Sequence, residues 1–523
     1  MPAEEVDNAM SRVPAYLLAL VSGLLTALAF PKLGLAFLAW ISLIPLFYAL
    51  AKSPPGRAFG LGLAAGTVFY GLLIYWIPDV PAHYGGMSTA LSLLIYLALI
   101  LFLGLFWALF ALVFRTGQRA FPTAAWLAAP FIWVGFEYAM THVLTGFPWG
   151  ILGTSQYRNI PLIQTATLAG VYGVSLLLVL LQTTFVLALT RRKKDPFFFA
   201  LGLLALAHGW GAYAIHRTSA ELAAGTAASF PAAVIQGNVS SDIHWDAVEP
   251  AEVRRLFDEH MALTRQAYDR GARLIIWPEF TVPLCFSCPG EPYETMKAAL
   301  QDYARQSGAT LLIGTSEQAG PPEDRRYFNT AMCLHPDLQA TRYAKMHLVP
   351  FGEYTPYKKV FFFVEKLTRA VGDLTPGTDQ VLHEHEGRRF GSPICYEVIF
   401  PALVRGFTRR GADFLVTITN DGWYGPTSAP YQHFAQAVLR AVENRRFLLR
   451  AATTGISGVV DPCGRVLAES RIMTRTFLLG HVVPRRGLTP YVRFGDVVPV
   501  AGLTIAVLSL ILAFVRRKRD TER

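Results

Sequence analysis

Charged residues are scarce in this chain. They make up 16% of its 523 residues, while 53% are hydrophobic, and a soluble globular domain usually carries about 25% charged residues. So little charge argues against a protein that is soluble over its whole length. The net charge of +10 does not indicate nucleic-acid binding, because that function needs basic residues clustered on a folded face, and here they flank hydrophobic runs.

The shortage of charge is confined to parts of the chain. Residues 1–229 hold 19 charged side chains, whereas residues 230–490 hold 56. Runs long enough to cross a bilayer, about 20 residues each, occur at 13–30, 34–51, 58–77, 89–114, 122–142, 162–190, 196–215 and 497–515. The pattern predicts a polytopic α-helical membrane domain with about eight spans plus one soluble domain.

The predicted domain boundaries follow from these runs. They are a membrane domain with spans one to seven over 1–217, a linker over 218–230, a soluble domain over 231–484, and an eighth span with a basic tail over 485–523. The first run lacks a small-residue cleavage pattern, so we expect a retained helix rather than a signal peptide.

Lysine and arginine are nearly absent from one set of short loops. If the N-terminus is cytoplasmic, the inner segments collect 14 of these residues and the short outer loops hold two, Lys32 and Arg158. Positive charge concentrates on the cytoplasmic side of membrane proteins. The soluble domain is therefore predicted on the periplasmic face of a bacterial inner membrane.

The soluble domain has an alternating pattern. Short apolar runs such as 274–277, 311–314 and 414–418 predict buried strands, and segments such as 250–270 and 430–446 have helical spacing. Strands that alternate with helices indicate an α/β domain. Polar residues at strand ends are where such a domain usually carries its function.

Three predicted strand ends carry reactive residues, namely Glu279, Lys345 and Cys395. A cysteine nucleophile needs a base for its proton and a group that stabilises the oxyanion. Glu279 could be the base, and Lys345 with the backbone N–H after Cys395 could hold the oxyanion. Taken singly, each residue fits a structural role at least as well, because a lone cysteine is usually a buried apolar residue.

Together these motifs resemble the nitrilase superfamily. The resemblance rests on Trp277-Pro278-Glu279, Lys345 and Cys395-Tyr396-Glu397 in that order, with Asn420–Gly425 after a later buried strand. It implies an αββα sandwich with Glu279 as base, Lys345 as oxyanion stabiliser and Cys395 as nucleophile. The spans on both sides of the domain narrow the resemblance to the apolipoprotein N-acyltransferase family.

The family resemblance implies further residues and a reaction. Supporting or substrate-binding roles are implied for Glu353, Tyr396, Glu397 and Trp245. The implied reaction moves an acyl chain from a phospholipid, through a thioester on Cys395, to the N-terminal α-amine of diacylglyceryl-cysteine in an apolipoprotein. No metal or organic cofactor is expected. The partners are membrane lipid and lipoprotein, with no nucleic acid, and we expect a monomer.

Two alternatives remain open at this stage. One is a membrane-tethered amidase that passes the acyl group to water, since the same three residues would serve it. The other is a transporter or receptor whose outer domain only binds ligand. That reading expects polar residues at mid-membrane, where the spans offer little beyond Glu137 and His208.

The chain has only five cysteines. Cys285 and Cys288 form a C-x-x-C pair that fits a disulfide, a redox pair or no role. Zinc is the weakest reading, because no second pair lies at finger spacing. Cys333 and Cys463 are predicted to be structural, and Cys395 must stay reduced to act.

Overall fold

The computed structural model describes residues 13–225, 228–240, 248–282, 284–356 and 373–522. They fold into two compact units. The first unit contains the described residues up to Pro78, Leu93–Ile215 and the residues from Phe494 onward. The second contains Asp79–Ser92 and His216–Arg493. The segment Asp79–Ser92, which the sequence assigned to the membrane domain, therefore packs with the second unit.

The first unit is helical. Its helices, in the part of the chain that is described, are Ala15–Leu28, Ile44–Ala51, Pro55–Leu73, Thr89–Ala120, Ala124–His142, Ile160–Ile163, Ala166–Ala169, Val171–Arg191, Asp195–Ala224 and Val497–Glu522, with short 3₁₀ turns at Ala36–Trp40 and Leu152–Gln156. Close packing depends on glycine where helices cross: a Cβ at Gly62 would lie 2.5 Å from the Trp107 carbonyl oxygen.

Not every hydrophobic run forms a long helix. Within the described ranges, five helices are long and apolar enough to cross a membrane, beginning at Pro55, Thr89, Val171, Asp195 and Val497. The first run yields a helix of 14 residues, about 21 Å at 1.5 Å per residue, which is short of a 30 Å hydrocarbon core. The second run divides into a 3₁₀ turn and a helix of 8 residues.

The sixth run is also interrupted, whereas the fifth forms one helix. Ala124–His142 is a helix of 19 residues with Pro130 in its interior. In the sixth run, Gly170 with φ +67° separates Ala166–Ala169 from Val171–Arg191. A positive φ costs glycine little, so the chain turns there before the long helix begins.

The second unit is built on two sheets that each contain six strands in the described residues. The strands are β1 Phe230–Gln236, β2 Leu274–Ile276, β3 Thr310–Ala319, β4 Arg326–Leu334, β5 Ala340–Ala344, β6 His383–His385, β7 Arg388–Gly391, β8 Phe414–Thr419, β9 Leu448–Ala452, β10 Gly458–Val460, β11 Val466–Glu469 and β12 Thr476–Val482. One sheet has the order β12-β1-β2-β3-β4-β5, and the other β11-β10-β9-β8-β7-β6.

The centre of each sheet is parallel. β2 pairs with β1 and β3 in parallel, and β8 pairs with β7 and β9 in parallel. The sheets face each other, since the Phe230 ring of β1 lies 5.2 Å from the Phe414 ring of β8. Parallel strands that are buried on both faces have continuous apolar sequences. Such apolar runs are the basis on which these strands were predicted.

Helices cover the outer faces. Pro250–Asp269 and Tyr293–Ser307 pack on the first sheet, where Phe257 and Leu300 join the core around Ile275 and Leu311. Pro401–Arg409 and Ala429–Asn444 belong to the half with the second sheet, and the short helices Asp79–His83 and Pro490–Phe494 complete the unit. This is the αββα arrangement that the family resemblance implies. The predicted linker is partly helical, because the helix Asp195–Ala224 extends into it, and its last residue, Phe230, begins β1.

Candidate active site

Glu279 lies just after β2, at the carboxyl end of the parallel strands. Its side chain is only 3% exposed. Gly314 of β3 allows the turn to approach, because a Cβ there would lie 2.4 Å from the Pro278 carbonyl oxygen. The Asn420 N–H, which follows β8 of the other sheet, donates to Glu279 Oε2 at 2.8 Å. The carboxylate is thus fixed from both sheets.

A buried lysine joins two buried carboxylates. Lys345 follows β5, is 1% exposed, and places Nζ 3.2 Å from Glu279 Oε1 and 2.8 Å from Glu353 Oε1. Burial alone would lower the pKa of Lys345, but the two carboxylates raise it above its ordinary value. The lysine therefore stays a cation. One ammonium group therefore lies between two carboxylates.

Asn329 completes this arrangement, and the sequence analysis missed it. Its Nδ2 donates to Glu279 Oε1 at 2.7 Å and to Glu353 Oε1 at 2.9 Å, and its backbone carbonyl oxygen accepts from the backbone N–H of Lys345 at 2.8 Å. Asparagine is disfavoured in strands, so an Asn inside the buried half of β4 was the available signal. Glu279, Asn329, Lys345 and Glu353 are called the lysine cluster below.

Cys395 occupies a strained turn. It follows β7, begins the 3₁₀ turn Cys395–Ile399, and has φ +49°, which is unusual for a residue with a Cβ. Burial raises the pKa of its thiol well above the ordinary value, the charge of Glu279 raises it further, and Lys345 lowers it. The structure thus brings Cys395 within electrostatic reach of both residues. Its thiol is protonated at neutral pH and needs a base.

Glu397 ties the cysteine turn to the lysine strand. Its Oε1 accepts from the Met346 N–H at 2.7 Å and from Tyr343 Oη at 2.8 Å, and its Oε2 accepts from the Ile394 N–H at 2.7 Å. Burial raises the pKa of Glu397 to about 7, against the effect of its backbone donors. The side chain therefore sets the spacing between the segments that carry Lys345 and Cys395.

The remaining predicted residues have different outcomes. Glu353 belongs to the lysine cluster, where its Oε2 also accepts from the Val349 N–H at 2.8 Å. Tyr396 is 4% exposed, with its ring 5.2 Å from Phe400, and burial raises the pKa of its phenol. Trp245 lies outside the described residues.

The cysteines divide into two groups. Cys285 and Cys288 form a disulfide, as the first of the three readings for this pair expects. Cys333 and Cys463 are buried and lie outside the disulfide, as expected for structural residues. Among the described residues, no group of three His, Cys, Asp or Glu side chains is placed to hold a metal ion.

The arrangement has the parts needed for acyl transfer. A buried thiol, a carboxylate and a cation share one site, and the thiol lies at the start of a turn whose backbone N–H groups are possible oxyanion donors. Such preorganised charges act strongly because the site is buried.

Family profiles match both units. Residues 22–184 match the profile described as "Apolipoprotein N-acyltransferase N-terminal domain", and residues 231–486 match the profile described as "Carbon-nitrogen hydrolase".

Curated proteins match along nearly the whole chain. A protein of Geobacter metallireducens named "Apolipoprotein N-acyltransferase" is 36% identical, over 96% of this chain and 96% of its own. One of Azotobacter vinelandii with the same name is 34% identical, over 97% of this chain and 96% of its own. Among solved structures, Saccharomyces cerevisiae Nit3, "a member of branch 10 of the nitrilase superfamily", is 21% identical, with a TM-score of 0.37 over 49% of this chain and 90% of its own.

Proposed function

The chain belongs to the apolipoprotein N-acyltransferase family, as its motifs predict, and on this premise we propose that it acylates the N-terminal α-amine of diacylglyceryl-cysteine in apolipoproteins. The acyl donor is a phospholipid, and the intermediate is a thioester on Cys395. The proposal rests on the buried Lys345, which lies between Glu279 and Glu353. The buried thiol of Cys395, whose backbone has φ +49°, belongs to the same site.

The first half-reaction forms the thioester. Glu279 takes the proton of the Cys395 thiol as the sulfur attacks the ester carbonyl of the phospholipid. Lys345 and a backbone N–H stabilise the oxyanion. When the tetrahedral intermediate collapses, the proton passes from Glu279 to the leaving oxygen and a lysophospholipid departs. The raised pKa of Cys395 requires this proton transfer to accompany the attack.

The second half-reaction forms the amide. The α-amine of the lipoprotein attacks the thioester carbonyl, and the same cation and N–H hold the new oxyanion. Glu279 accepts a proton from the nitrogen and returns it to the sulfur, which restores the starting thiol. Two lipid substrates thus use one site in turn, which predicts ping-pong kinetics.

The site of action follows from the helices and the relatives. The chain is an inner-membrane protein, and we place its catalytic unit on the periplasmic side because Lys and Arg favour the opposite loops. We expect a monomer to suffice, because the lysine cluster and Cys395 come from one chain.

The experiment that tests the proposal identifies the acceptor of the acyl group. Purified protein in phospholipid nanodiscs is given a diacylglyceryl-cysteine peptide, and the products are separated by mass spectrometry. We expect an N-acylated peptide and one lysophospholipid per turnover. Free fatty acid without acylated peptide would favour the amidase alternative, in which water is the acceptor. Binding of peptide or lipid without either product would favour a transport or receptor role.

A matched acceptor separates the amine from the rest of the substrate. The same peptide with an N-acetylated cysteine keeps the lipid and the sequence but lacks the nucleophile. It should yield no acylated product, while the lysophospholipid of the first half-reaction should still form once per enzyme molecule.

A further inference from the structure

A second buried charged cluster lies beside the nucleophile. It contains Asp421 of the 3₁₀ turn Asp421–Tyr424, His433 of the helix Ala429–Asn444, and Arg450 of β9, each of which is 0% exposed. His433 Nδ1 lies 2.9 Å from Asp421 Oδ1, and Arg450 donates to Asp421 Oδ2 at 2.7 Å. These three residues are called the histidine cluster below. The two half-reactions described above do not use them.

The other ring nitrogen of His433 faces the nucleophile's backbone. Nε2 lies 3.2 Å from the carbonyl oxygen of Cys395. A carbonyl oxygen can only accept a hydrogen bond, so Nε2 carries a proton and donates it. The contact spans 38 positions of sequence and holds a residue whose backbone, at φ +49°, stays in place only if its surroundings fix it.

The peptide group that His433 contacts contains the N–H that is proposed to stabilise the oxyanion. The carbonyl of Cys395 and the N–H of Tyr396 belong to the same planar unit, and in a trans peptide they point in opposite directions. A donor on the carbonyl therefore fixes the direction of the Tyr396 N–H. It also polarises the peptide group, which strengthens that N–H as a donor.

The ring itself is held firmly. Asp421 Oδ1 also accepts from Thr419 Oγ1 at 2.9 Å, and a Cβ at Gly455 would lie 2.2 Å from Asp421 Oδ2, so only glycine fits behind the carboxylate. Arg450 lies 3.1 Å from His433 Nδ1. Burial lowers the pKa of His433, so the ring is neutral: its proton is on Nε2, and Nδ1 accepts from Arg450, which Asp421 holds in place.

From this geometry we infer that His433 is a positioning residue for the oxyanion site: its Nε2 holds the Cys395–Tyr396 peptide group so that the Tyr396 N–H faces the developing oxyanion. Asp421 and Arg450 orient the imidazole. The inference rests on the proposed function, because it assumes that Cys395 forms the acyl intermediate. It adds a residue that touches neither the sulfur nor the substrate.

The test compares two amide replacements of His433 in the full-length protein. A glutamine amide reaches the place of Nε2, whereas an asparagine amide reaches only the place of Nδ1. We expect His433→Asn to slow thioester formation in a single turnover about 100-fold, the size of a lost oxyanion donor, with little change in KM for phospholipid. We expect His433→Gln to recover to within about 10-fold of wild type.

A reaction without an oxyanion supplies the second measurement. Alkylation of Cys395 by iodoacetamide uses the same sulfur but attacks a saturated carbon. His433→Asn should alkylate at about the wild-type rate, while its acylation falls. If alkylation falls in parallel with acylation, the histidine merely supports packing and the inference is overturned. It is equally overturned if His433→Asn acylates as fast as wild type.

Controls separate folding and the parent proposal from this inference. His385 is also buried, at 1% exposed, but contacts Thr310 Oγ1 at 3.0 Å, so His385→Asn should acylate normally. If His433→Asn does not fold, Asp421→Asn, which removes the charge that holds Arg450 against the ring, must show the same split between acylation and alkylation. Absence of a thioester on Cys395 in the wild-type protein would instead overturn the proposed function, and this inference with it.

Discussion

The two buried clusters of the catalytic unit differ in how their charges are matched. The lysine cluster has two carboxylates around one ammonium. In the histidine cluster one carboxylate, Asp421, meets the guanidinium of Arg450 at 2.7 Å. Although burial opposes it, Arg450 and His433 hold the pKa of Asp421 below its ordinary value. An acidic group in excess can take up a proton during a reaction, whereas a matched ion pair resists protonation. We therefore expect chemistry at the first cluster and orientation at the second.

Removing the cation of the lysine cluster should have the largest effect. Lys345→Met leaves two buried carboxylates without a counter-charge, which costs about 3–5 kcal/mol of folding stability, and it removes an oxyanion partner. We expect thioester formation to fall at least about 1,000-fold, measured in a single turnover alongside thermal unfolding. Lys297→Met, on the helix Tyr293–Ser307, is the control. A Lys345→Met protein that forms the thioester at the wild-type rate would contradict the oxyanion role.

The two carboxylates of the lysine cluster should not be equivalent. Glu279→Gln removes the base and should slow acylation about 1,000-fold, within the range of general base catalysis. Glu353→Gln keeps the shape and loses one charge-assisted hydrogen bond, so we expect a decrease of about 10-fold to 100-fold. Single-turnover acylation of both variants checks the order. Equal losses would mean that the proton acceptor has been assigned to the wrong carboxylate, or is shared.

The pH dependence of Cys395 alkylation should distinguish the role of Glu279 as a base in acylation from the effect of its charge on ionisation of the thiol. Because burial and the charge of Glu279 raise the pKa of the thiol well above its ordinary value, wild-type alkylation should keep rising through pH 9. Glu279→Gln removes a negative charge that opposes ionisation, so its rise should move to lower pH. The variant would thus alkylate faster at pH 8 while acylating more slowly. A shift to higher pH would show that the charge of Glu279 does not act on the sulfur.

Replacing Asn329 should reduce acylation less than replacing Glu279 or Glu353, the two carboxylates to which it donates hydrogen bonds. Asn329→Ala removes donors to both carboxylates and should cost about 1–3 kcal/mol of stability, with acylation reduced about 10-fold. Thermal unfolding and steady-state turnover measure the two effects. Gln339→Ala, at an exposed position before β5, should change neither. Full activity of Asn329→Ala would contradict this prediction, because it would show that the other hydrogen-bond partners of the two carboxylates are enough to hold them.

The disulfide should have the smallest effect. Cys285 and Cys288 are three positions apart, and so short a loop removes little entropy from the unfolded chain. Replacing both with serine should cost about 2 kcal/mol or less. Turnover should stay within about 2-fold of wild type, because Glu279 is held by Asn329, Lys345 and Asn420 instead. A loss beyond about 10-fold would show that the pair supports the site directly.

The sequence indicated the reactive residues of the site because of where strands end. Glu279, Lys345 and Cys395 each follow a predicted short strand, and in a sandwich whose sheets have parallel centres such strand ends converge. Asn329 and His433 escaped notice for the converse reason. They lie inside a strand and a helix, and their partners are 50 and 38 positions away. Both contacts form only when distant segments of the chain pack together, so an Asn within a predicted strand was the one local signal and the helical pattern around His433 offered none.

The membrane unit shows a different limit. Hydropathy located the helical regions, but run length did not predict helix length in the first two runs. The first helix ends at Leu28, shortly before Pro31, where the ring and missing N–H prevent its continuation. The second run is divided at Trp40. Composition over 18 residues cannot distinguish one long helix from two short ones, since both bury the same apolar side chains.

The most direct test of the account is the mass of the protein itself. Purified protein is incubated with phospholipid in the absence of any lipoprotein acceptor, then digested and analysed by mass spectrometry. We predict one acyl increment on the peptide that contains Cys395, which hydroxylamine removes, which Cys395→Ser lacks and which Cys463→Ser retains. A folded protein with phospholipid present but no increment on Cys395, or with an equal increment in Cys395→Ser, would contradict the thioester mechanism.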